Sequence, residues 1–222
     1  MTWFSLQATD GHRFNVFEQT PAQTPKGMVI VLQEIFGVNR HIESVCQQLA
    51  QQGWLAVAPA LFDRTQGEQA LGYGASDIEI GRSKKDQIGE TLALMDIAAA
   101  FRWGKNQGYK MAILGFCWGG TLAWLAANRL PLDAVVIYYG TQVAQNLQAV
   151  PSMPVLMHFG EMDSHIPLDH VQKITSACPT AHIHLYPAGH GFNCEMRASF
   201  HEPSAALSAQ RTREFLTDHL GN

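Results

Sequence analysis

The chain has 222 residues, of which 46% are hydrophobic and 15% are charged, a composition typical of a globular protein with a sizeable core. Its formal net charge of -4 gives no electrostatic basis for binding nucleic acid or an anionic membrane, and no apolar run is long enough to span a bilayer. Since the first residues also lack the pattern of a secretory signal, we expect a cytoplasmic protein with one domain over residues 1–222, as a monomer or small homo-oligomer.

The predicted elements begin with a β-hairpin, in which residues 3–6 and 13–17 flank the turn signal Asp10-Gly11. Short apolar runs then alternate with amphipathic segments. The apolar runs predict strands over residues 28–32, 55–58, 111–114, 134–139, 155–159 and 182–186. The amphipathic segments predict helices over residues 41–51, 85–103, 121–128, 168–176 and 204–220.

This alternation predicts an α/β fold. Most of the strands are apolar on successive residues, as strands covered on both faces are. Consecutive strand and helix units favour right-handed crossovers, and therefore a mostly parallel sheet with helices on both faces. We expect the ligand at the carboxyl ends of the strands.

The segment Gly115-Phe116-Cys117-Trp118-Gly119-Gly120 has the form of a nucleophile elbow, with cysteine where most such elbows carry serine. A predicted strand precedes it and a predicted helix follows it, which is the context that this motif requires. The tight turn leaves no room for side chains beside the nucleophile, which accounts for the glycines. Cys117 is therefore the predicted nucleophile. The cysteine spacing matches no zinc site or disulfide framework, and Cys46 and Cys178 are interpreted as small buried side chains.

Two further candidates, Asp163 and His190, each follow a predicted strand. The chain order of nucleophile, acid and histidine is that of α/β-hydrolases. His190 would withdraw the proton of Cys117, and Asp163 would orient the imidazole, with Glu161 as a rival acid. His41 is interpreted as a solvated surface group. The backbone N–H of Trp118 is the expected first donor to an oxyanion, and the second should come from the loop after strand 28–32.

That loop, Gln33-Glu34-Ile35-Phe36-Gly37-Val38-Asn39, carries an acid at the end of a buried strand. From the residues alone, Glu34 could cap the next helix, pair with an arginine, or act in the site. Aromatic side chains such as Phe36 near the site would suit a compact and partly apolar substrate.

Taken together, this loop and the elbow resemble the dienelactone hydrolase family (carboxymethylenebutenolidase). Segments that fall in the family's order lie at residues 53–62, 138–140, 160–163 and 189–192. The resemblance implies an α/β-hydrolase that acts on small lactones or related esters through a Cys–His–Asp triad, with no cofactor and no metal. It also implies that Glu34 holds the thiol in the resting enzyme, that Ile35 and Trp118 supply the oxyanion N–H groups, and that Tyr139 lies beside the site.

The chain departs from the family at the two arginines that hold a substrate carboxylate. One arginine is expected four residues after the catalytic histidine, where this chain has Cys194, with Arg197 as a nearby substitute. The other is expected before the long helix, where Arg82 is preferred to Arg64. Three alternative functions stay open: an esterase or thioesterase of neutral substrates, a non-catalytic redox-sensing protein on a hydrolase fold, and a serine-type esterase that acts through Ser152 or Ser164. A separate hypothesis is a disulfide between Cys194 and Cys117 under oxidation.

Overall fold

The computed structural model describes residues 2–221, so Met1 and Asn222 of the predicted 1–222 domain lie outside the described part. Eight strands form one sheet in the order β1-β2-β4-β3-β5-β6-β7-β8. Their bounds are β1 Thr2–Gln7, β2 Arg13–Gln19, β3 Met28–Leu32, β4 Leu55–Pro59, β5 Met111–Phe116, β6 Ala134–Tyr138, β7 Val155–Gly160 and β8 His182–Tyr186. The strands from β4 to β8 run parallel, and β1 and β2 add an antiparallel hairpin at one edge, which confirms the predicted fold class.

Every residue of the central strands β3 to β7 is buried, because helices cover both faces of the sheet. These helices are α1 Arg40–Gln51, α2 Ala75–Asn106, α3 Trp118–Ala127, α4 Leu168–Ala177 and α5 Glu202–Leu220. Within residues 2–221, none of them combines the length and apolar character needed to cross a membrane.

Helix α2 differs most from the prediction, because it begins at Ala75 rather than at residue 85. Its start is capped by the Asp77 carboxylate, which accepts a hydrogen bond from the Gly74 N–H at 3.0 Å. Gly89 has a φ of 61° inside the helix and kinks it. The kink interrupts the apolar periodicity, so only the second half of the helix has a readable pattern.

The sheet brings the candidate site residues to one edge. Glu34, Cys117 and Tyr139 follow the ends of β3, β5 and β6, while Asp163 and His190 follow the ends of β7 and β8. Because these strands are parallel neighbours, their carboxyl ends lie side by side. The fold therefore gathers the candidate residues at the edge where the sequence predicts the ligand site.

Candidate active site

Cys117 stands at the sharp turn between β5 and α3, with φ 53° and ψ -114°. Left-handed backbone is unfavourable for a residue with a side chain, and it persists here because the surrounding chain fixes it. The Cys117 N–H donates to the Tyr138 carbonyl at 3.0 Å. A Cβ atom on Gly119 would stand 2.5 Å from the carbonyl oxygens of Leu32 and Gln33, so only glycine allows α3 to approach β3 this closely. The structure thus has the backbone geometry of the predicted elbow.

His190 and Asp163 form a buried pair near this turn. His190 Nδ1 lies 2.8 Å from Asp163 Oδ2, and the other carboxylate oxygen accepts the N–H of His165 at 2.8 Å. Glu161, the rival acid, is exposed and makes no hydrogen bond to His190. The structure therefore brings Asp163, rather than Glu161, to the histidine.

The electrostatic setting favours a charged imidazole on His190. Burial by itself lowers the pKa of His190, but the neighbouring Cys117 sulfur and Asp163 carboxylate outweigh burial and raise this pKa to about 10. The ring of His165 lies 4.7 Å from that of His190 and is tilted against it, and burial and the adjacent His190 charge lower the pKa of His165. The neutral form of His165 is consequently favoured beside a charged His190.

Two backbone N–H groups are free beside the turn. Neither Ile35 nor Trp118 donates its amide proton to an acceptor within residues 2–221. Trp118 is the first residue of α3, where helical N–H groups have no partner in the helix. The Ile35 carbonyl faces Gly81 of α2 so closely that a Cβ atom there would collide with it, which holds the Ile35 loop in place. Both groups are available as hydrogen-bond donors.

Glu34 is paired with an arginine, as one of the sequence alternatives expected. Its Oε1 atom lies 2.9 Å from Arg197 Nη1, while its Oε2 atom is buried with no partner within residues 2–221. Arg197 also packs over the rings of Phe36 and Tyr73, at 5.7 and 5.9 Å from the ring centres. Arg197 is thus a member of the site that its position in the sequence only suggested.

The two other arginine candidates, Arg64 and Arg82, lie in different environments. The Arg64 guanidinium is held by the carboxylates of Asp96 and Asp10, at 2.7 and 2.8 Å. Arg82 is exposed on α2, and its positive charge contributes to lowering the pKa of His165. Arg82 is therefore, with Arg197, one of two cations whose charge reaches His165 beside His190.

Tyr139 forms a wall of the site, in a left-handed conformation with φ 39°. Its ring stands edge-on to His190 at 5.0 Å, and its hydroxyl is buried without a partner within residues 2–221. Burial and the nearby Glu34 charge hold the pKa of Tyr139 well above its usual range. The hydroxyl is therefore a protonated donor at any physiological pH.

Sequence reasoning was wrong about His41, which is 1% exposed rather than solvated. Its Nδ1 atom lies 2.8 Å from Glu195, a residue distant in the chain that the sequence gave no reason to pair with it. The helical spacing could have predicted this burial. His41 lies four residues before Val45 and eight before Leu49, so the three side chains share the buried face of α1. Cys194 is buried, and all four cysteines have free thiols.

The comparisons with known proteins point to one family. The sequence model of the dienelactone hydrolase family matches residues 14–220. A carboxymethylenebutenolidase of Pseudomonas putida is 34% identical over 96% of this chain and 94% of its own length. A Yersinia pestis protein assigned as a carboxymethylenebutenolidase is 38% identical over 88% of this chain and 79% of its own. A crystal structure from Klebsiella pneumoniae, assigned as a dienelactone hydrolase, has a TM-score of 0.84 at 31% identity, covering 98% of this chain and 99% of its own.

Proposed function

Since this chain belongs to the dienelactone hydrolase family and is a hydrolase of esters or lactones, we propose that it acts through a covalent acyl intermediate on Cys117. One observation carries the proposal: the buried His190–Asp163 pair, 2.8 Å apart, beside a cysteine held in elbow geometry. That arrangement supplies the nucleophile, the base and the orienting carboxylate that acyl transfer needs.

In the first step, the Cys117 sulfur attacks the carbonyl carbon of the substrate, and its proton resides on His190. The raised pKa of His190 favours the imidazolium that holds this proton, and the sulfur stands at the N-terminus of α3. Asp163 accepts the Nδ1–H of His190, so the Nε2–H faces the reacting groups. His190 then protonates the leaving alcohol oxygen, which breaks the ester or lactone bond.

The negative oxygen of the tetrahedral intermediate accepts hydrogen bonds from the free N–H groups of Ile35 and Trp118. In the second step, His190 takes a proton from water, and the resulting hydroxide attacks the thioester carbonyl. The carboxylate product leaves, and the Cys117 thiolate is restored. No atom outside the chain, the substrate and water is needed.

The charges around Cys117 suggest which substrates the site takes. Arg197 and the exposed Arg82 give two cations near the triad residues, which suits a substrate that carries its own carboxylate. Such a substrate would compete with Glu34 for Arg197 and displace Glu34, the carboxylate to which we assign the gating of the thiol. Phe36 and Tyr139 would contact the apolar part of the substrate.

A neutral ester or thioester is the second candidate, because Glu34 already neutralises Arg197 at 2.9 Å. With a neutral substrate, the ion pair between Glu34 and Arg197 stays intact during turnover, and Arg197 serves only to hold Glu34. The small-molecule substrate and a reducing cytoplasmic location, which keeps a thiol nucleophile free, are part of both versions of the proposal.

The test measures hydrolysis of a dienelactone and of its neutral methyl ester by the intact protein. Cys117→Ala is expected to abolish both activities, while Cys178→Ala, which removes a buried thiol at the end of α4, is the control and should retain them. If the protein prefers the dienelactone and Arg197→Met removes this preference, the natural substrate carries a carboxylate. Equal rates on the two compounds would support a neutral ester or thioester as the substrate. Turnover that survives in Cys117→Ala would overturn the mechanism.

A further inference from the structure

Two aromatic rings from different segments of the chain hold the guanidinium of Arg197. Its Cζ atom stands 5.7 Å from the ring centre of Phe36 and 5.9 Å from that of Tyr73. The two rings meet edge to face, with their centres 4.6 Å apart. A cation within about 6 Å of an aromatic ring centre is attracted by the ring face. Both rings are therefore close enough to restrain the direction in which the guanidinium points.

The backbone of Gly191 supports the same guanidinium. Gly191 follows His190 and has a φ of 76°, and a Cβ atom there would collide with the Arg197 guanidinium. This conformation and the close approach of the arginine both require glycine. The Arg197 backbone is fixed as well, because its N–H donates to the Cys194 carbonyl at 3.1 Å. Arg197 is consequently held against the residue next to the proposed base.

The Tyr73 side chain is itself anchored at its hydroxyl. The hydroxyl oxygen accepts hydrogen bonds from Asn39 Nδ2 at 3.0 Å and from the Cys194 thiol at 3.1 Å. Asn39 is the N-cap of α1, and its amide also donates to the Leu71 carbonyl at 3.2 Å. Tyr73 thus links the segment before α2 to the start of α1 and to the loop after β8.

The segment that carries Tyr73 is also tied to the loop that carries Glu34. The Leu71 N–H donates to the Phe36 carbonyl at 2.8 Å. Because this hydrogen bond joins the two segments, Tyr73 keeps a fixed position relative to the ion pair between Glu34 and Arg197.

The guanidinium of Arg197 still has free hydrogen-bond donors. A guanidinium carries several N–H groups, and within residues 2–221 the Arg197 side chain uses one of them, from Nη1 to Glu34 Oε1. The side chain is 20% exposed, so part of it can be reached from outside. An incoming carboxylate can therefore accept the remaining donors before the contact with Glu34 breaks.

We propose that Tyr73 is a positioning residue, which holds Arg197 in the orientation that binds the carboxylate of an anionic lactone or ester. This inference rests on the proposed function and names the residue that gives the site its preference for a charged substrate. Tyr73 acts through the guanidinium and contacts no reacting atom. Its ring sets the direction of Arg197, and its hydroxyl fixes the ring.

The first measurement follows Arg197 without any substrate. It records the Nε–H signal of Arg197 in proton–nitrogen NMR spectra of the full-length protein, and Arg197→Met identifies that signal by removing it. In Tyr73→Leu we expect this hydrogen to exchange with solvent about tenfold faster, because the ring that restrains the guanidinium is lost. Tyr109→Leu is the matched control and should leave the exchange unchanged, since Tyr109 is also half-buried but precedes β5 at the opposite edge of the sheet. Equal exchange in Tyr73→Leu and the wild type would overturn the proposal.

The second measurement determines kcat and KM for a dienelactone and for its neutral methyl ester. Tyr73→Leu should raise the KM of the dienelactone about tenfold with little change in kcat, and should leave both constants of the methyl ester unchanged. Tyr73→Phe retains the ring, so its KM should rise only about threefold or less. In the Arg197→Met background, Tyr73→Leu should have no further effect, because Tyr73 acts through Arg197.

The outcomes distinguish this inference from the proposed function. If neither compound were turned over in a Cys117-dependent way, the proposed function would fail, and the NMR comparison would still decide whether Tyr73 holds Arg197. If turnover depended on Cys117 but Tyr73→Leu left the dienelactone preference intact, the role of Tyr73 alone would be refuted. Equal losses on both compounds would reveal a merely structural residue, and equal wild-type rates would leave no preference for Tyr73 to maintain; either result contradicts the inference.

Discussion

Replacing Arg197 by methionine should destabilise the protein by about 3 kcal/mol, because the change leaves the Glu34 carboxylate buried without its cation. Removing one partner of a buried ion pair costs about 3–5 kcal/mol. The lower end applies here because the Arg197 side chain is 20% exposed while that of Glu34 is 2% exposed. Methionine retains an unbranched stem that can pack against Phe36 and Tyr73, so the loss reports mainly on charge.

The double variant Glu34→Gln/Arg197→Met should recover most of this loss, because it leaves no charge in the pocket. We expect it to be only about 1 kcal/mol less stable than the wild type, so that Glu34→Gln recovers about 2 kcal/mol when it is added to Arg197→Met. The assay is urea unfolding of the wild type, both single variants and the double variant, compared at equal m-values.

The chain offers a control for this cycle in Asp169 and Lys173, an exposed pair on α4 with an N–O distance of 3.0 Å. Its cycle should show no measurable coupling, because water screens both charges. If the changes at Glu34 and Arg197 added within about 0.5 kcal/mol, the argument that their contact is a desolvated ion pair would be refuted.

Three further changes test other parts of the site. Asp163→Asn should lower turnover of a lactone or ester about 10⁴-fold, since the amide would hold His190 in the wrong tautomer, and a near-normal rate in steady-state kinetics would contradict the triad. Gly119→Ala should destabilise the protein by about 3 kcal/mol in urea unfolding, because the added Cβ would lie 2.5 Å from two carbonyl oxygens. Gly189→Ala is the control and should be nearly neutral, because its Cβ would have no neighbour nearer than 3.8 Å. The raised pKa of His190 adds stability that is complete below about pH 6.5 and is lost as the pH rises through about 10. Between pH 7 and 10, the free energy of unfolding should therefore fall less in His190→Gln than in the wild type. Identical pH profiles of the two proteins would count against the charged imidazole.

The fold was predictable because its signals are local. Strand β3 consists of five successive apolar residues, which is what burial on both faces requires, and its bounds were predicted without error. The elbow was also readable, since the glycines around Cys117 are demanded by backbone contacts within and next to that one turn. The geometry of Asp163 and His190 followed from chain order, because parallel strands carry their carboxyl ends to one edge.

What the sequence did not give is which distant side chains pair. Glu34 and Arg197 are 163 residues apart in the chain, and His41 and Glu195 are 154 apart. No periodicity links such residues, because their contact depends on where the loop after β8 returns across the sheet. The early start of α2 was missed for a different reason, since the kink at Gly89 interrupts the pattern from which a helix is recognised.

The order of the strands also has a consequence for how the protein matures. The site draws on loops after β3, β5, β6, β7 and β8, so the site is incomplete until the last third of the chain has been synthesised and docked. Contacts of such high sequence separation form late in folding, because loop closure must precede them. A nascent or truncated chain can therefore contain the complete elbow around Cys117 and still lack His190, which reaches the site only when the final strand is in place.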